Sequence, residues 1–362
     1  MAINLQYPIK ATYRNLIYRK DKHVAAYFRI PNTPITITDN DKKRKHKWTV
    51  SQLIKKLAKN QHFEISLIPK DYLLEEKMRD FMDALSPNNR KLGEDLLLHT
   101  VDTLTDEMEI PYQFDWLVGV RLRKHDKGSS LTDLAYERFS ELTETIANGL
   151  GFELEEEKPW YEDYLSDEQD CFQILSTLRC RRLTNEELFY YQRMQYLRYI
   201  PHFKGEVLAN RSLFNVTDTL IKSLSGGFLK LESPYGTSFV TILPVGKFNT
   251  IFNGFHLGEF IQRLNFPVEL QIKAEVIDRN KIKGKMGRSN TRYKNIMEEA
   301  DSTNTVQQDE IIMGSFSLKD LMKKVGNKED IIEYGAYLIV SASSITQLRN
   351  RRQVVLNYFD DM

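Results

Sequence analysis

The sequence predicts a mixed α/β (α+β) fold with two α/β subdomains, each built from a mixed sheet flanked by helices. Short runs rich in β-branched and aromatic residues, bounded by Pro or Gly, indicate strands. Apolar residues spaced i, i+3, i+4 and i+7 indicate helices between them. The composition, 41% hydrophobic and 28% charged over 362 residues, is typical of a globular protein long enough for two domains. The predicted division is a first subdomain at 1–150, a helical middle segment at 151–225 and a second subdomain at 226–362.

The first subdomain alternates strands and helices. Residues 39–47 are polar and highly charged, so we interpret them as a loop. Val50, Leu53, Ile54 and Leu57 then form one apolar helical stripe. The predicted strands of this region are 23–30, 62–68 (closed by Pro69) and 114–122, and the predicted helices are 50–57, 71–85, 97–108 and 131–150.

The middle segment and the second subdomain give further local signals. Ser166 with Gln169, and Thr184 with Glu187, match the capping box that satisfies free amides at a helix start. Residues 279–310 lose periodicity, apart from a short helix around 293–300, and are predicted to be the most flexible long segment. The remaining predicted elements are a helix at 186–199, a hairpin of 227–232 and 237–243, strands at 266–277 and 336–343, and a final helix at 345–359.

Charge is unevenly distributed along the chain. Residues 1–60 hold 14 Lys or Arg against three Asp, although the net charge of the whole chain is +1. A dense basic run beside Trp48 consists of Lys42, Lys43, Arg44, Lys45 and Lys47. A second basic stretch occupies 279–294. Either stretch is suited to phosphates of lipid or nucleic acid or to an acidic protein, and either also fits an ordinary solvated loop.

The motifs of common enzymes are absent from the sequence. A Walker A loop requires G-x-x-x-x-G-K-[ST], but Gly246-Lys247 is followed by Phe248 and Gly284-Lys285 by Met286. No zinc-spaced Cys/His cluster and no G-x-S-x-G elbow occurs. We therefore assign no catalytic, cofactor-binding or metal-binding residue, and we expect no ATP hydrolysis by this chain alone. The absence of these motifs does not exclude an enzyme activity of an unfamiliar type.

The sequence also contains features that relate to the cellular compartment of the protein. The longest apolar-rich uncharged run, 334–348, is shorter than the roughly 20 residues that a spanning helix needs. The start has neither the basic nor the apolar region of a signal peptide. Cys171 and Cys180 are not expected to form a disulfide, which fits a reducing cytoplasm.

Several segments resemble the N-terminal part of the VirB-type (TraE/TrbE/CagE) conjugation ATPases, particularly those of Gram-positive conjugative elements. They are YPIK at 7–10, NLIY at 15–18, RIP at 29–31, FDWLVGVRL at 114–122 and the strand–helix close that ends at 349–359. The resemblance implies an α/β scaffold domain that attaches the motor to an inner-membrane channel complex. In that family ATP and Mg²⁺ belong to a C-terminal motor domain. Since the sequence ends before such a domain, it is either a fragment or a standalone relative.

These observations lead to one functional expectation and one alternative. We expect a docking domain of a type IV secretion motor for DNA transfer, cytoplasmic and peripheral at the membrane, whose partners are inner-membrane subunits of the channel. Anionic lipid, self-association and DNA are further candidate partners. The candidate partner-binding residues are Tyr27, Phe28, Lys42, Lys43, Arg44, Lys45 and Lys47. The alternative is a nucleic-acid-binding protein that acts through its basic loops.

Overall fold

The computed structural model describes residues 2–3, 9–31, 40–71, 74–107, 112–124, 159–199, 219–246, 257–277, 279–303, 309–327 and 331–360. The strands are β1 Ala2–Ile3, β2 Ile9–Tyr13, β3 Leu16–Arg19, β4 Val24–Ile30, β5 His62–Asp71, β6 Tyr112–Arg121, β7 Arg181–Arg182, β8 Leu220–Ser223, β9 Phe228–Ser233, β10 Gly236–Val245, β11 Val268–Ile277 and β12 Ile331–Ala342. The helices are α1 Asn40–Leu57, α2 Leu74–Ala84, α3 Arg90–Glu107, α4 Leu165–Ser176, α5 Asn185–Met194, α6 Leu257–Arg263, α7 Arg279–Thr303, α8 Asp309–Gly326 and α9 Ile345–Asp360. These elements confirm the predicted mixed α/β class.

The described strands form one sheet in the order β1-β8-β9-β10-β12-β11-β5-β6-β4-β3-β2, with β7 paired to β4. Each described pairing is antiparallel. Three of the predicted strands, now β6, β11 and β12, lie in the interior of the sheet. β5 continues through Pro69, where the sequence predicts an end. Its pairing with β11 stops at Leu67, so Pro69 has a strand partner only in β6, where the lack of an N–H is tolerated.

The sheet contains the same unit twice. Three meandering strands, β2-β3-β4, are followed by α1, β5, the α2–α3 hairpin and β6. The second unit repeats this order with β8-β9-β10, α6, β11, the α7–α8 hairpin and β12. The lateral order is also the same, since β6 lies between β4 and β5 as β12 lies between β10 and β11. The predicted subdomain boundaries at 150 and 225 are not tested by this repeat and stay a prediction.

The register repeats as well. Val120 of β6 is paired with Ala26 on one side and Phe63 on the other. Val340 of β12 is paired with Thr241 and Val268 in the corresponding way. Because β5 and β11 join the two units as antiparallel neighbours, the units are related by an approximate two-fold axis perpendicular to the sheet. The segment that follows β5 therefore leaves the sheet at the opposite end from the segment that follows β11.

Helices cover one face of both units. In the first unit, Leu57 of α1 and Cys171 and Leu175 of α4 pack on Phe28 and Val120. Helices α6 and α9 cover the second unit together with part of the neighbouring β5 and β6, and the buried residues of this core are Leu67, Phe114, Phe228, Ile261, Phe266, Val268, Leu270, Leu338, Val340, Ala342, Leu348 and Val355. Each fully buried Leu of this type contributes about 1.5–3 kcal/mol through removal of apolar surface from water.

The other face is covered by α5 and the segment that follows it. Leu188, Tyr190 and Tyr191 of α5 pack on Ile68 and Leu117, which alternate with the residues that face α1 and α4. The start of α5 has the predicted capping box, with the Thr184 hydroxyl accepting from the Glu187 amide and the Glu187 carboxylate accepting from the Thr184 amide. The predicted box at Ser166 is wrong, because α4 begins one residue earlier and Tyr164 is its N-cap without a side-chain bond.

Two predicted loops are helices instead. Residues 40–47, interpreted as part of a loop, form the first turns of α1. Residues 279–303, predicted to be largely irregular, form the 25-residue helix α7. Lys and Arg are good helix formers, and α7 gains a packing partner when Ile282 and Met286 meet Val325 of α8. The predicted helix at 131–150 lies outside the described residues.

Candidate functional site

The basic run predicted at 42–47 lies in the exposed N-terminal half of helix α1. From Thr49 onward α1 buries Leu53 and Leu57, whereas every described side chain of residues 40–48 is exposed. We call residues 40–48 the basic arm. Its described basic side chains are Lys42, Arg44, Lys45 and Lys47, and Lys43 belongs to the same helical turns. At a rise of 1.5 Å per residue the arm is about 13 Å long.

The basic arm is electrostatically unfavourable by itself. The N-terminus of a helix is the positive end of its dipole and favours carboxylates, yet Asp41 is the acidic residue of this first turn against five basic residues nearby. Lys42 and Lys45, and Arg44 and Lys47, stand three residues apart on the helix, which adds like-charge repulsion of about 0.2–0.5 kcal/mol for each pair. An anionic partner would relieve both effects at once.

Trp48 ends the basic arm and is 66% exposed. An indole ring in this position offers a large apolar surface together with one N–H donor. The combination of a Trp and several long cationic side chains on one exposed helix is suited to the boundary between water and an apolar phase.

Tyr27 and Phe28, the other predicted partner-binding residues, lie in β4 inside the sheet. The Phe28 side chain is fully buried and stacks on Phe172 of α4, so it belongs to the core. Tyr27 faces the opposite side and donates to Glu64 Oε1 at 2.6 Å, while its oxygen accepts from Arg19 at 2.9 Å. Burial raises the pKa of the Tyr27 hydroxyl far above its usual value. Tyr27 thus has a structural network of its own.

Gly119 makes the Tyr27–Glu64 contact possible. It is paired with Tyr27 on one side and with Glu64 on the other. A Cβ at this position would stand 2.8 Å from both neighbouring side chains. The absence of a side chain at Gly119 lets the Tyr27 ring cross the strand and reach Glu64.

A buried carboxylate next to this network was not predicted. Asp115 of β6 is 2% exposed and meets cations from both neighbouring strands, Arg29 of β4 and Lys70 of β5, the latter at 3.5 Å. The Tyr191 hydroxyl of α5 donates to the same carboxylate. Burial, followed by the charge of Asp115, raises the pKa of Tyr191 strongly. This cluster fixes α5 to the sheet.

A cleft of about 320 Å³ between the start of β4 and the end of β6 was also not predicted from the sequence. Among its lining residues are Lys22, His23, Arg121, Arg123 and Lys124. Arg121 donates to Nδ1 of His23 at 2.6 Å, which requires the neutral imidazole with its proton on Nε2. Burial and then Arg121 lower the pKa of His23. The basic sequence at 121–124, directly after a predicted strand, is the signal that could have indicated this cleft.

The carboxylate of Asp167 holds the cleft together and offsets part of its charge. It accepts from the Arg123 side chain at 3.0 Å, from the Arg123 amide at 2.8 Å and from Asn60 Nδ2 at 2.6 Å. Lys124 has a weaker ion pair with Asp163, at 3.8 Å. Asp167 of α4 is therefore joined to the end of β6 and to the short helical turn at 58–60 that follows α1.

Two classes of site were sought in the described part of the chain. It contains no group of three or more His, Cys, Asp or Glu side chains arranged to hold a metal ion. Among the described helices, none has the length and apolar character to cross a membrane.

Together, the fold and these clusters define a mixed α/β protein with a duplicated antiparallel sheet and an exposed basic arm. No protein-family model matches the chain. It is similar to a Bacillus subtilis (strain 168) protein named "Uncharacterized protein YddE", with 23% identity over 336 residues. The match covers 91% of this chain and 40% of the relative. The chain thus spans about two fifths of the length of the curated relative that it matches.

Proposed function

We propose that this chain is the N-terminal docking part of a type IV secretion motor that transfers DNA, and that the basic arm attaches it to the cytoplasmic face of the membrane channel. The observation that carries the proposal is the basic arm itself, an exposed helical segment with five basic residues and an exposed Trp48. The resemblance of the sequence to conjugation ATPases supplies the class of motor. In the proposed parent protein, ATP hydrolysis belongs to another domain.

The arm is suited to an anionic surface in two ways. Each basic residue close to an anionic leaflet contributes about 1 kcal/mol of long-range attraction. Trp48 adds an apolar ring that prefers the headgroup region of a bilayer. Charge brings the arm to the surface, and specific contacts with the channel subunits then select the site, since charge alone discriminates poorly between partners.

The first experiment measures co-sedimentation of the chain with vesicles that contain anionic lipid. The arm variant replaces Lys42, Lys43, Arg44, Lys45 and Lys47 with Gln, which preserves helix propensity while it removes the charge. We expect most of the vesicle binding to be lost. Replacement of Trp48 with Ser alone should weaken binding and leave its salt dependence nearly unchanged, because the Trp contribution is not Coulombic.

A matched control tests whether position matters or only charge. It replaces five exposed basic residues of α7 with Gln, namely Lys283, Lys285, Arg288, Arg292 and Lys294. Under the proposal this variant binds vesicles nearly as well as the original chain. An equal loss in both variants would contradict a specific role of the arm.

The alternative of nucleic-acid binding gives a different pattern in the same variants. Retention on DNA that falls steeply with salt and collapses in the arm variant, with no vesicle binding by the original chain, would replace our proposal with the alternative. A further experiment measures binding of the channel subunits by pull-down. The arm variant should bind them more weakly than the original chain and should still bind them specifically.

A further inference from the structure

Two helical hairpins occupy equivalent places in the repeated units. The first helical hairpin is α2 with α3, between β5 and β6, and the second is α7 with α8, between β11 and β12. Since β5 and β11 are antiparallel, the two hairpins leave the sheet at opposite ends. They cannot cover each other within one chain.

The first helical hairpin exposes apolar side chains. Across residues 78 and 80–103 none of the described side chains is buried. Leu92 and Leu96 of α3, one turn apart, are 76% and 66% exposed, and Phe81 of α2 is exposed as well. The two helices of this hairpin pack against each other at a different point, where Gly93 of α3 lies close to Leu85. Leu92 and Leu96 therefore do not take part in the packing of α2 against α3.

The second helical hairpin has a corresponding apolar patch on its second helix. Its seam is formed by Ile282, Met286 and Val325. On the outside of α8, Met313 and Phe316 lie three residues apart and both are about two thirds exposed. Large exposed side chains that occur in adjacent pairs are a feature of surfaces that meet a partner.

The two hairpins differ in the sign of their charge. The helices of the first carry nine acidic and four basic residues, a net charge of −5. The helices of the second carry ten basic and six acidic residues, a net charge of +4. Asp95 lies three residues after Leu92, and Asp102 lies two turns further on the same side of α3 as Asp95, while Lys319 and Lys323 follow Phe316 on α8.

We propose that the acidic first hairpin of one molecule binds the basic second hairpin of another copy of this chain, with the exposed Leu, Met and Phe side chains at the centre of the interface. Equivalent position, matching apolar patches and opposite charge all favour this pairing over the pairing of two identical hairpins, which would place like charges together. Because the two surfaces are different, the contact is head-to-tail and leads to a ring or to a filament. This interface does not depend on the proposed docking function.

The test uses two charge-reversal variants of the whole chain. The first-hairpin variant carries Asp95→Lys and Asp102→Lys, and the second-hairpin variant carries Lys319→Glu and Lys323→Glu. The four native side chains are exposed, so both variants should fold, which circular dichroism and thermal melting verify. Controls with the same change in net charge are Glu162→Lys with Asp170→Lys, and Lys20→Glu with Lys59→Glu, at exposed positions away from the hairpins.

Sedimentation velocity measures the mass distribution over a range of protein concentrations. We expect the original chain and both controls to associate as the concentration rises. Each hairpin variant alone should raise the dissociation constant by more than about tenfold, because the net charge of the altered hairpin falls from −5 to −1 or from +4 to 0 and like charges then meet beside the apolar patches. An equimolar mixture of the two variants should associate again, since an original acidic hairpin meets an original basic hairpin in that mixture.

Three results would overturn the proposal. The first is that the original chain does not associate even at on the order of 100 µM, where weak specific interfaces are populated. The second is that the two variants associate as the original chain does, which would place the interface elsewhere. The third is that the mixture stays monomeric although each variant has lost association, which would mean that the hairpins do not bind each other. Loss of DNA retention by the second-hairpin variant, without any change in mass, assigns the basic hairpin to nucleic acid instead.

Discussion

Replacement of Asp115 with Asn tests whether the buried ion cluster holds α5 on the sheet. The substitution keeps the shape of the side chain and removes the negative charge between Arg29 and Lys70. Removal of one partner of a buried ion pair costs about 3–5 kcal/mol, because the remaining charge stays desolvated. The Arg29 side chain is 28% exposed and that of Lys70 is 15% exposed, so both cations can recover some hydration. We therefore expect a loss of about 2–3 kcal/mol in the free energy of unfolding.

The measurement is equilibrium unfolding in urea at pH 7, followed by circular dichroism and by tryptophan fluorescence. Coincident transitions are needed before a free energy is derived. The matched control is Asp163→Asn, which removes an exposed partner of Lys124 and should change stability by less than about 0.5 kcal/mol. The double variant of Asp115→Asn and Arg29→Gln should lose less than the sum of the single losses. A loss no larger than that of the Asp163 control would show that the cluster contributes little and would refute the reasoning.

Three further predictions concern the core, the pH dependence and the thiols. Leu270→Ala should destabilise the protein by about 2–4 kcal/mol in the same urea assay, whereas Ile242→Ala, at a side chain 47% exposed, should cost far less. The hydrogen bond from Arg181 lowers the pKa of Glu187, so this carboxylate stabilises the fold above its unfolded pKa of about 4.3 and loses its contribution as the pH falls through the lower folded value. Glu187→Gln should thus reduce stability at neutral pH, and the difference from the original chain should vanish in acid. Burial raises the pKa of Cys171 to about 12, so a thiol reagent at pH 8 should modify it only after unfolding, and rapid modification of the folded protein would contradict its burial.

The sequence predicts most strands correctly because alternation and Pro boundaries are local signals. It fails at 40–47 and 279–303 for a physical reason. A charged helix without a full apolar stripe has the pattern of a loop, and in α7 only Ile282 and Met286 are buried among the described side chains. What stabilises that helix is α8, which lies further along the chain and contributes Val325. A partner of this kind does not appear in the local periodicity of α7.

The features of the candidate site likewise fall into those that the sequence predicts and those that it does not. The basic arm is visible in the sequence because its charges are consecutive. The clusters around Asp115 and His23 are not, because antiparallel pairing brings together residues far apart along the chain, such as Arg121 and His23 at a separation of 98 residues. Phe28, predicted to contact a partner from its aromatic character, is buried, since composition does not tell which face of an interior strand is covered.

A comparison of the two repeated units supports the proposed role of the basic arm. Leu57 of α1 and Ile261 of α6 cover equivalent parts of the sheet, one in each unit. Together, α6 and α9 bury the core of the second unit, while among the described side chains of α1 those from Thr49 onward contribute to the core of the first. The described side chains of the arm are exposed, and the arm places five positive charges at the unfavourable end of the helix dipole. This arrangement supports the proposal that the arm binds a partner, and its charges fit an anionic surface.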